Sequence, residues 1–275
     1  MSDELTRTFS DDLDQLPPEI PGAGNLDPGR ISWLHGTNQA GAKAPGTFYA
    51  RDTAFTEPPA APWVVDNRYD DQGELGYSAT ELKIAIIGWR DQWFLPGEDR
   101  GDLPTWLPHY ETGAKKLTEY LIMVDGLADP MVLSVSGKYK AGPFAKIFSD
   151  YRRGSLAQAM RKIKRTLPPW SHWLTVAGKR DAAGKPIYEK ATDGDGKEYG
   201  SIVTVPTLVA PPQEVTIETL KEGIFLYQQY QAAGWFSFKR TPRDVVEGQV
   251  VSQAPQLEAP RNVPQPVGEI DALPF

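Results

Sequence analysis

Three short stretches of this chain set flat aromatic rings among cations. Trp89 and Trp93 bracket Arg90, Tyr139 stands between Lys138 and Lys140, and Trp170 and Trp173 precede Lys179 and Arg180. Cations follow a phosphate backbone and rings accept stacked bases, so this pairing is the chemistry that holds a single-stranded nucleic acid. Residues four apart on a strand point to the same face, so a strand through Trp89 and Trp93 makes them one platform. The cations are also concentrated. Residues 131–180 add Lys146, Arg152, Arg153, Arg161, Lys162, Lys164 and Arg165 to those already named, and only one acid, Asp150. That window carries +10 in a chain of net charge −7, which leaves −17 on the remaining 225 residues. Such segregation costs self-repulsion that an anionic partner offsets. All of these aromatic and basic side chains are therefore expected nucleic-acid contacts.

Readings of the chain as an enzyme find little support. Asp66, Asp70, Asp71 and Glu74 cluster, as magnesium ligands of a nuclease could, but no lysine motif accompanies them. A solvated acidic loop is expected instead. Gly36 to Lys43 imitates a phosphate loop, yet Ala42 occupies the lysine position and Lys43 the Ser/Thr position. Asp193-Gly194-Asp195-Gly196 lacks the spacing and distal glutamate of a calcium loop and reads as a turn. There is no Gly-x-Ser-x-Gly elbow. With no cysteine and only His35, His109 and His172, disulfides, thiolate metal sites and cysteine nucleophiles are excluded. No catalytic residue, cofactor or metal is expected.

The elements that must position the aromatic and basic residues are mostly strands. Thr47–Ala50, Trp63–Val65, Leu82–Leu95, Tyr120–Val124 and Met131–Gly137 are β-prone runs, the fourth closed by the turn pair Asp125-Gly126. The period then changes. Phe144–Arg153 and Ser155–Arg165 read as two helices parted by Gly154, with Ser155 as an N-cap and Leu156, Met160 and Ile163 as a stripe. Strands resume at Trp170–Val176, and 186–189 with 201–205 suit a hairpin. A last helix over 216–233 has Leu220, Ile224, Tyr227 and Ala232 on its apolar face and stops at Gly234. The pattern predicts a mainly β protein with helical insertions, arranged as a small Greek-key barrel whose helix lies between its third and fourth strands. A decorated β-sandwich fits the same strand count.

Three segments are expected: an acidic, proline- and glycine-punctuated N-terminal arm at 1–45, a nucleic-acid-binding domain at 46–240, and a disordered proline-rich tail at 241–275. The tail closes on Ala272-Leu273-Pro274-Phe275, with Glu269 and Asp271 beside it. A free apolar tip on a flexible arm suits a pocket on another protein, its carboxylates met there by Arg or Lys.

Bacterial single-stranded-DNA-binding proteins end in an acidic run followed by Ile-Pro-Phe. This chain resembles that family at Asp271, Pro274 and Phe275, with Leu273 in the Ile position. The resemblance implies an OB-fold, coating of single-stranded DNA with little sequence preference, and recruitment of replication, recombination or repair proteins through Glu269, Asp271, Leu273, Pro274 and Phe275. The longer body and acidic N-terminal arm depart from the bacterial proteins and suggest a bacteriophage origin. No run of 18 apolar residues crosses a membrane, and the polar start Met1-Ser2-Asp3-Glu4-Leu5 is no signal peptide, so a cytoplasmic place is expected, that of the host if phage-encoded. Two other readings remain open: an adaptor that binds only protein through its tip, and a metal-dependent DNA nuclease.

Overall fold

The computed structural model describes residues 28–35, 46–69, 74–97, 104–192 and 196–237. In chain order these form β1 (Gly29–Leu34), β2 (Thr47–Arg51), β3 (Val64–Tyr69), β4 (Glu74–Ala79), β5 (Glu81–Leu95), β6 (Thr105–Leu107), β7 (Lys115–Val124) and β8 (Met131–Ser136). A helical arm follows: α1 (Ala141–Tyr151), a π-helical turn (Arg152–Leu156) and α2 (Ala157–Ile163). Then come β9 (His172–Gly178), β10 (Glu189–Thr192), β11 (Glu198–Val203), β12 (Pro206–Leu208), β13 (Gln213–Glu214) and α3 (Ile217–Ala232). The expected tail and its tip, Glu269 to Phe275, lie outside the described residues, as do the Gly36–Lys43 stretch, Asp70, Asp71 and Asp193 to Asp195.

One 11-stranded sheet holds most of the chain, in the order β12-β9-β5-β7-β8-β1-β2-β4-β3, with β6 on β5 and β13 on β9. β5, β7 and β8 are an antiparallel meander, and its second turn uses Gly126 at φ 85°, a conformation glycine adopts without a Cβ clash. The chain crosses by the helical arm and returns as β9 along the free edge of β5, pairing Glu81 with Ala177 and Ile84 with Leu174. β10 and β11 form the expected hairpin.

Several boundaries differ from the sequence reading. Gly29–Leu34 is no part of an arm. It is a strand inside the sheet, parallel to β8 and antiparallel to β2, with Ile31 and Trp33 wholly buried. Prolines and glycines on either side masked a short alternating run. The backbone carbonyl of His35, just past β1, accepts from the Thr204 amide at 2.8 Å. The two expected helices are one continuous helical arm of about 35 Å at 1.5 Å per residue. Ser155 caps nothing, because its segment widens into a π turn around Gly154 rather than breaking. β9 begins at His172, two residues later than expected.

Each side of the meander is roofed by a helix. Ile84, Ile86, Ile122 and Leu133 lie under Phe144, Ile147 and Phe148 of α1, whose i, i+3, i+4 spacing aims them at one side. Ala85, Ile87, Leu121 and Val132 point the other way, under Leu220, Ile224 and Trp235. α3 sits so close that a Cβ on Gly223 would fall 2.3 Å from the Trp170 ring. A β-bulge then changes the parity of β5. Ile86 pairs with Ile122 but Gly88 pairs with Leu121, so one extra residue enters between them. Beyond it, odd residues of β5 share the α1 side.

Candidate nucleic-acid interface

The bulge decides which side chains reach the surface. Trp89 pairs with Tyr120, Asp91 with Thr118 and Trp93 with Lys116, so all six share the side roofed by α1. That roof ends at Phe148, whose ring meets Trp89 edge-on at 5.0 Å. Trp89 is left 39% exposed, with the Arg152 guanidinium 5.6 Å from its ring centre. Trp93 is half-buried, edge-on to exposed Tyr110 at 5.0 Å, and the Lys116 ammonium lies 6.0 Å from its ring. Asp91 stands between the two tryptophans. Its Oδ1 accepts from the Thr118 hydroxyl at 2.7 Å and its Oδ2 meets Lys116 Nζ at 2.8 Å. Burial first, and the Asp91 charge second, push the Tyr120 phenol up to about 12. Trp89 and Trp93 thus share one face, as the i, i+4 spacing predicted, and this half of β5 is an open aromatic strip with Arg152 at one ring and Lys116 at the other in place of Arg90.

The helical arm continues the positive charge. Arg152 and Arg153 lie on the π turn, and Arg161 and Lys162 on the last turn of α2, with Lys164 and Arg165 just after; all are exposed. Among the described residues no carboxylate pairs with Arg152, Arg153, Arg161, Lys162 or Lys164. Lys146 is different, since it pairs with Asp150 one turn on. Leu156 is buried beneath the arm, with Met160 packed beside it.

The remaining expected contacts scatter. Tyr139 is pinned to the hairpin, its hydroxyl accepting from the Thr192 amide at 2.6 Å, and its ring stacks on His35 at 5.8 Å. Lys138 Nζ donates to the Thr192 hydroxyl at 2.8 Å, and Lys140 flanks buried His35. Lys179 pairs with Glu189 at 3.2 Å and Arg180 with Glu81 at 3.9 Å. Exposed pairs of this kind contribute little and exchange readily for another anion.

Two expected contacts are corrected. Trp170 is 5% exposed, its indole N–H donating to the Leu220 carbonyl and its face against Gly223 and Tyr227. It is core, so no base reaches it, and Trp173 is half-buried against the same cluster. Arg90 is also buried. It lies on the side opposite Trp89, where its guanidinium binds Glu119 at 2.7 Å, donates to the Trp235 carbonyl and lies 4.2 Å from the Trp235 ring. Glu119 is wholly buried and also holds Arg30 and the Gln92 amide. The sequence reading missed Lys116 and Tyr110 beside Trp93, and took Asp91 only as a mark of an exposed face and not as part of the site. The alternation Lys116, Thr118, Tyr120 carried a signal, but pairing it with β5 needed the register.

Burial shapes the two histidines among the strands. It is the larger cause, and the Lys140 charge the smaller, of His35 falling to about 4. Burial also lowers His172, while Glu214 works against it. Among the described residues no three His, Cys, Asp or Glu side chains come together as a metal site, and no helix is long and apolar enough to cross a membrane. No family model, curated protein or solved structure matches the chain.

Proposed function

We propose that this protein binds single-stranded DNA with little sequence preference, using the open strip of β5 and β7 and the helical arm beside it. The observation that carries the reading is the placing of Trp89 and Trp93 on one exposed face, each with a cation at its ring. Stacked bases gain about 1–3 kcal/mol per ring with little regard for sequence, and the arm's exposed arginines and lysines supply a path for phosphates. The chain path supports the barrel part of the reading. Three hairpin-linked strands and a fourth returning beside the first, in the order β9-β5-β7-β8, follow the Greek-key pattern, and the helix between the third and fourth suits a partly open OB-fold barrel. The hydrogen bond from Thr204 to His35 ties the segment before β12 to the end of β1, which favours the same reading.

In one respect the site departs from that fold's usual surface. OB-folds bind oligonucleotides on the face of their second and third strands. Here α3 covers one side of β7 and β8 and α1 covers the other. The binding path therefore runs along the extended ends of β5 and β7 past the bulge. Recruitment of replication or repair proteins belongs to the acidic apolar tip, where the Leu273-Pro274-Phe275 sequence supports it.

The test is a titration of a mixed-sequence single strand and its duplex in EDTA at two salt concentrations, read by tryptophan fluorescence and repeated with magnesium. Salt-sensitive preference for the single strand with quenching supports the reading. Unchanged emission and no binding to either would favour the protein-only adaptor, and cleavage confined to magnesium would favour a nuclease.

A further inference from the structure

We propose that Asp91 makes this surface read one base in passing: between the nucleotides stacked on Trp89 and Trp93 it favours a base that presents an amino group and disfavours thymine or uracil. The inference rests on the single-strand reading above. It follows from what a carboxylate between two platforms can and cannot do.

The first step is spacing. Trp89 and Trp93 are four residues apart on a strand that rises about 3.3 Å per residue, so their Cα atoms stand about 13 Å apart. Stacked neighbours in a nucleic-acid strand are separated by about 3.4 Å. The two rings therefore cannot carry adjacent stacked bases, and a strand touching both passes at least one base across the gap. Asp91 sits at the middle of that gap, on the same face as both rings.

The second step is hydrogen-bond valence. Each Asp91 oxygen has one partner, Thr118 on Oδ1 and Lys116 on Oδ2. An ionised carboxylate offers about four acceptor positions and no donor, so each oxygen keeps acceptor capacity. Thr118 and Lys116 also fix its orientation toward the strip. Cytosine N4, adenine N6 and guanine N2 are amino donors that such a group accepts, cytosine N4 being a known partner of acidic side chains. Thymine and uracil instead set carbonyl oxygens on both sides of their one N–H, and those oxygens meet the carboxylate's lone pairs. A tolerant stacking surface thereby acquires a bias at one position in each bound stretch.

The experiment compares dC, dA and dT oligonucleotides of equal length on the full chain and on Asp91→Asn, in one buffer. Asparagine keeps the shape but offers a donor as well as an acceptor. Wild type is expected to bind dC and dA more tightly than dT, by roughly three- to tenfold, since a single contact on an exposed strip falls at or below the usual range for reading a base. Asp91→Asn is expected to bring these ratios toward one. It also releases Lys116, so all three affinities can rise together, and the ratios rather than the affinities are the readout. Equal binding of the three by wild type, or ratios that survive in Asp91→Asn, overturns the role of Asp91 and leaves single-strand binding standing. Absence of binding to all three, with native near-UV dichroism, overturns both.

Discussion

The two sides of the β5–β7 ribbon carry the same kinds of residue and put them to opposite use. On one side Trp89, Asp91, Trp93 and Lys116 stand at the surface. On the other, Arg90, Glu119 and Gln92 are buried with Trp235 laid over the guanidinium. Both sides pair a tryptophan, a cation and an acid. On the closed side every charge is consumed internally, because Glu119 serves Arg90, Arg30 and Gln92 together. On the open side the cations sit at the rim of rings that water reaches. A ring beside a cation is thus open to a ligand only where the second layer is missing, and here that layer is decided by where α1 and the segment after α3 stop.

The sharpest break in this comparison comes from the closed side. Glu119→Gln removes the acid that neutralises buried Arg90, and losing one partner of a buried pair costs about 3–5 kcal/mol. For a domain of this size the melting temperature should fall by roughly 10 °C. Trp170→Ala should cost about 3–5 kcal/mol as a large-to-small core change. Thermal melts followed by circular dichroism check both. A shift of a degree or less in either variant would mean the closed side is not closed in solution.

Acid should find the buried groups next. His35 is neutral in the fold down to about pH 4, whereas an unfolded histidine takes up its proton near 6.5. The unfolded state therefore binds more protons between those values, so the stability from keeping His35 neutral is complete above 6.5 and lost as pH falls toward 4. At about 1.4 kcal/mol per pKa unit the loss reaches about 3 kcal/mol. His172 adds to it in the same direction. Urea midpoints at pH 7.5, 5.5 and 4.5 measure this. His35→Phe keeps a ring against Tyr139 and cannot titrate, so its stability should decline less over the same interval, and an unchanged decline would remove His35 as the cause.

Much of this arrangement was legible in the chain itself, and the illegible parts have physical reasons. The strands Thr47–Ala50, Leu82–Leu95 and Met131–Gly137 and the last helix are strong local patterns, and the structure has them. The common face of Trp89 and Trp93 followed from strand period alone. Arg90 and Trp170 did not, because both are hidden by residues more than 45 positions later, Trp235 over one and α3 over the other. β1 was read as arm because its six residues sit between unpatterned stretches, and its pairing with β2 and β8 makes it a strand. The continuity of α1 and α2 was missed because Gly154 and Ser155 look like a break, while a π turn absorbs them. Lys116 needed the β5–β7 register, and Tyr110 the fold of the segment between β6 and β7.

Back on the open side, the same substitution used on Trp170 should give the opposite result. Trp93→Ala and Trp89→Ala should each weaken single-strand binding by about 1–3 kcal/mol. Trp93, at the ribbon's far end, should leave the melting temperature almost unchanged. Trp89 should lower it somewhat, because its ring packs edge-on against Phe148. If Trp93→Ala destabilises as much as Trp170→Ala while binding is retained, the open strip is only the edge of a core.

The smallest effect tests the cations singly. Removing one cation that neutralises a phosphate of a single strand lowers the slope of log affinity against log salt by about 0.7. Arg161→Ala and Lys162→Ala remove exposed charges that no described carboxylate holds, so together they should reduce the slope by about 1.4. Lys179 and Arg180, already shared with Glu189 and Glu81, should give less, because displacing an acid already offsets part of each phosphate interaction. Affinities at four salt concentrations separate the two pairs. Equal slopes for both double variants would show that pairing on the surface does not decide which cations meet the strand, and a wild-type slope for the Arg161/Lys162 variant would remove the helical arm from its path.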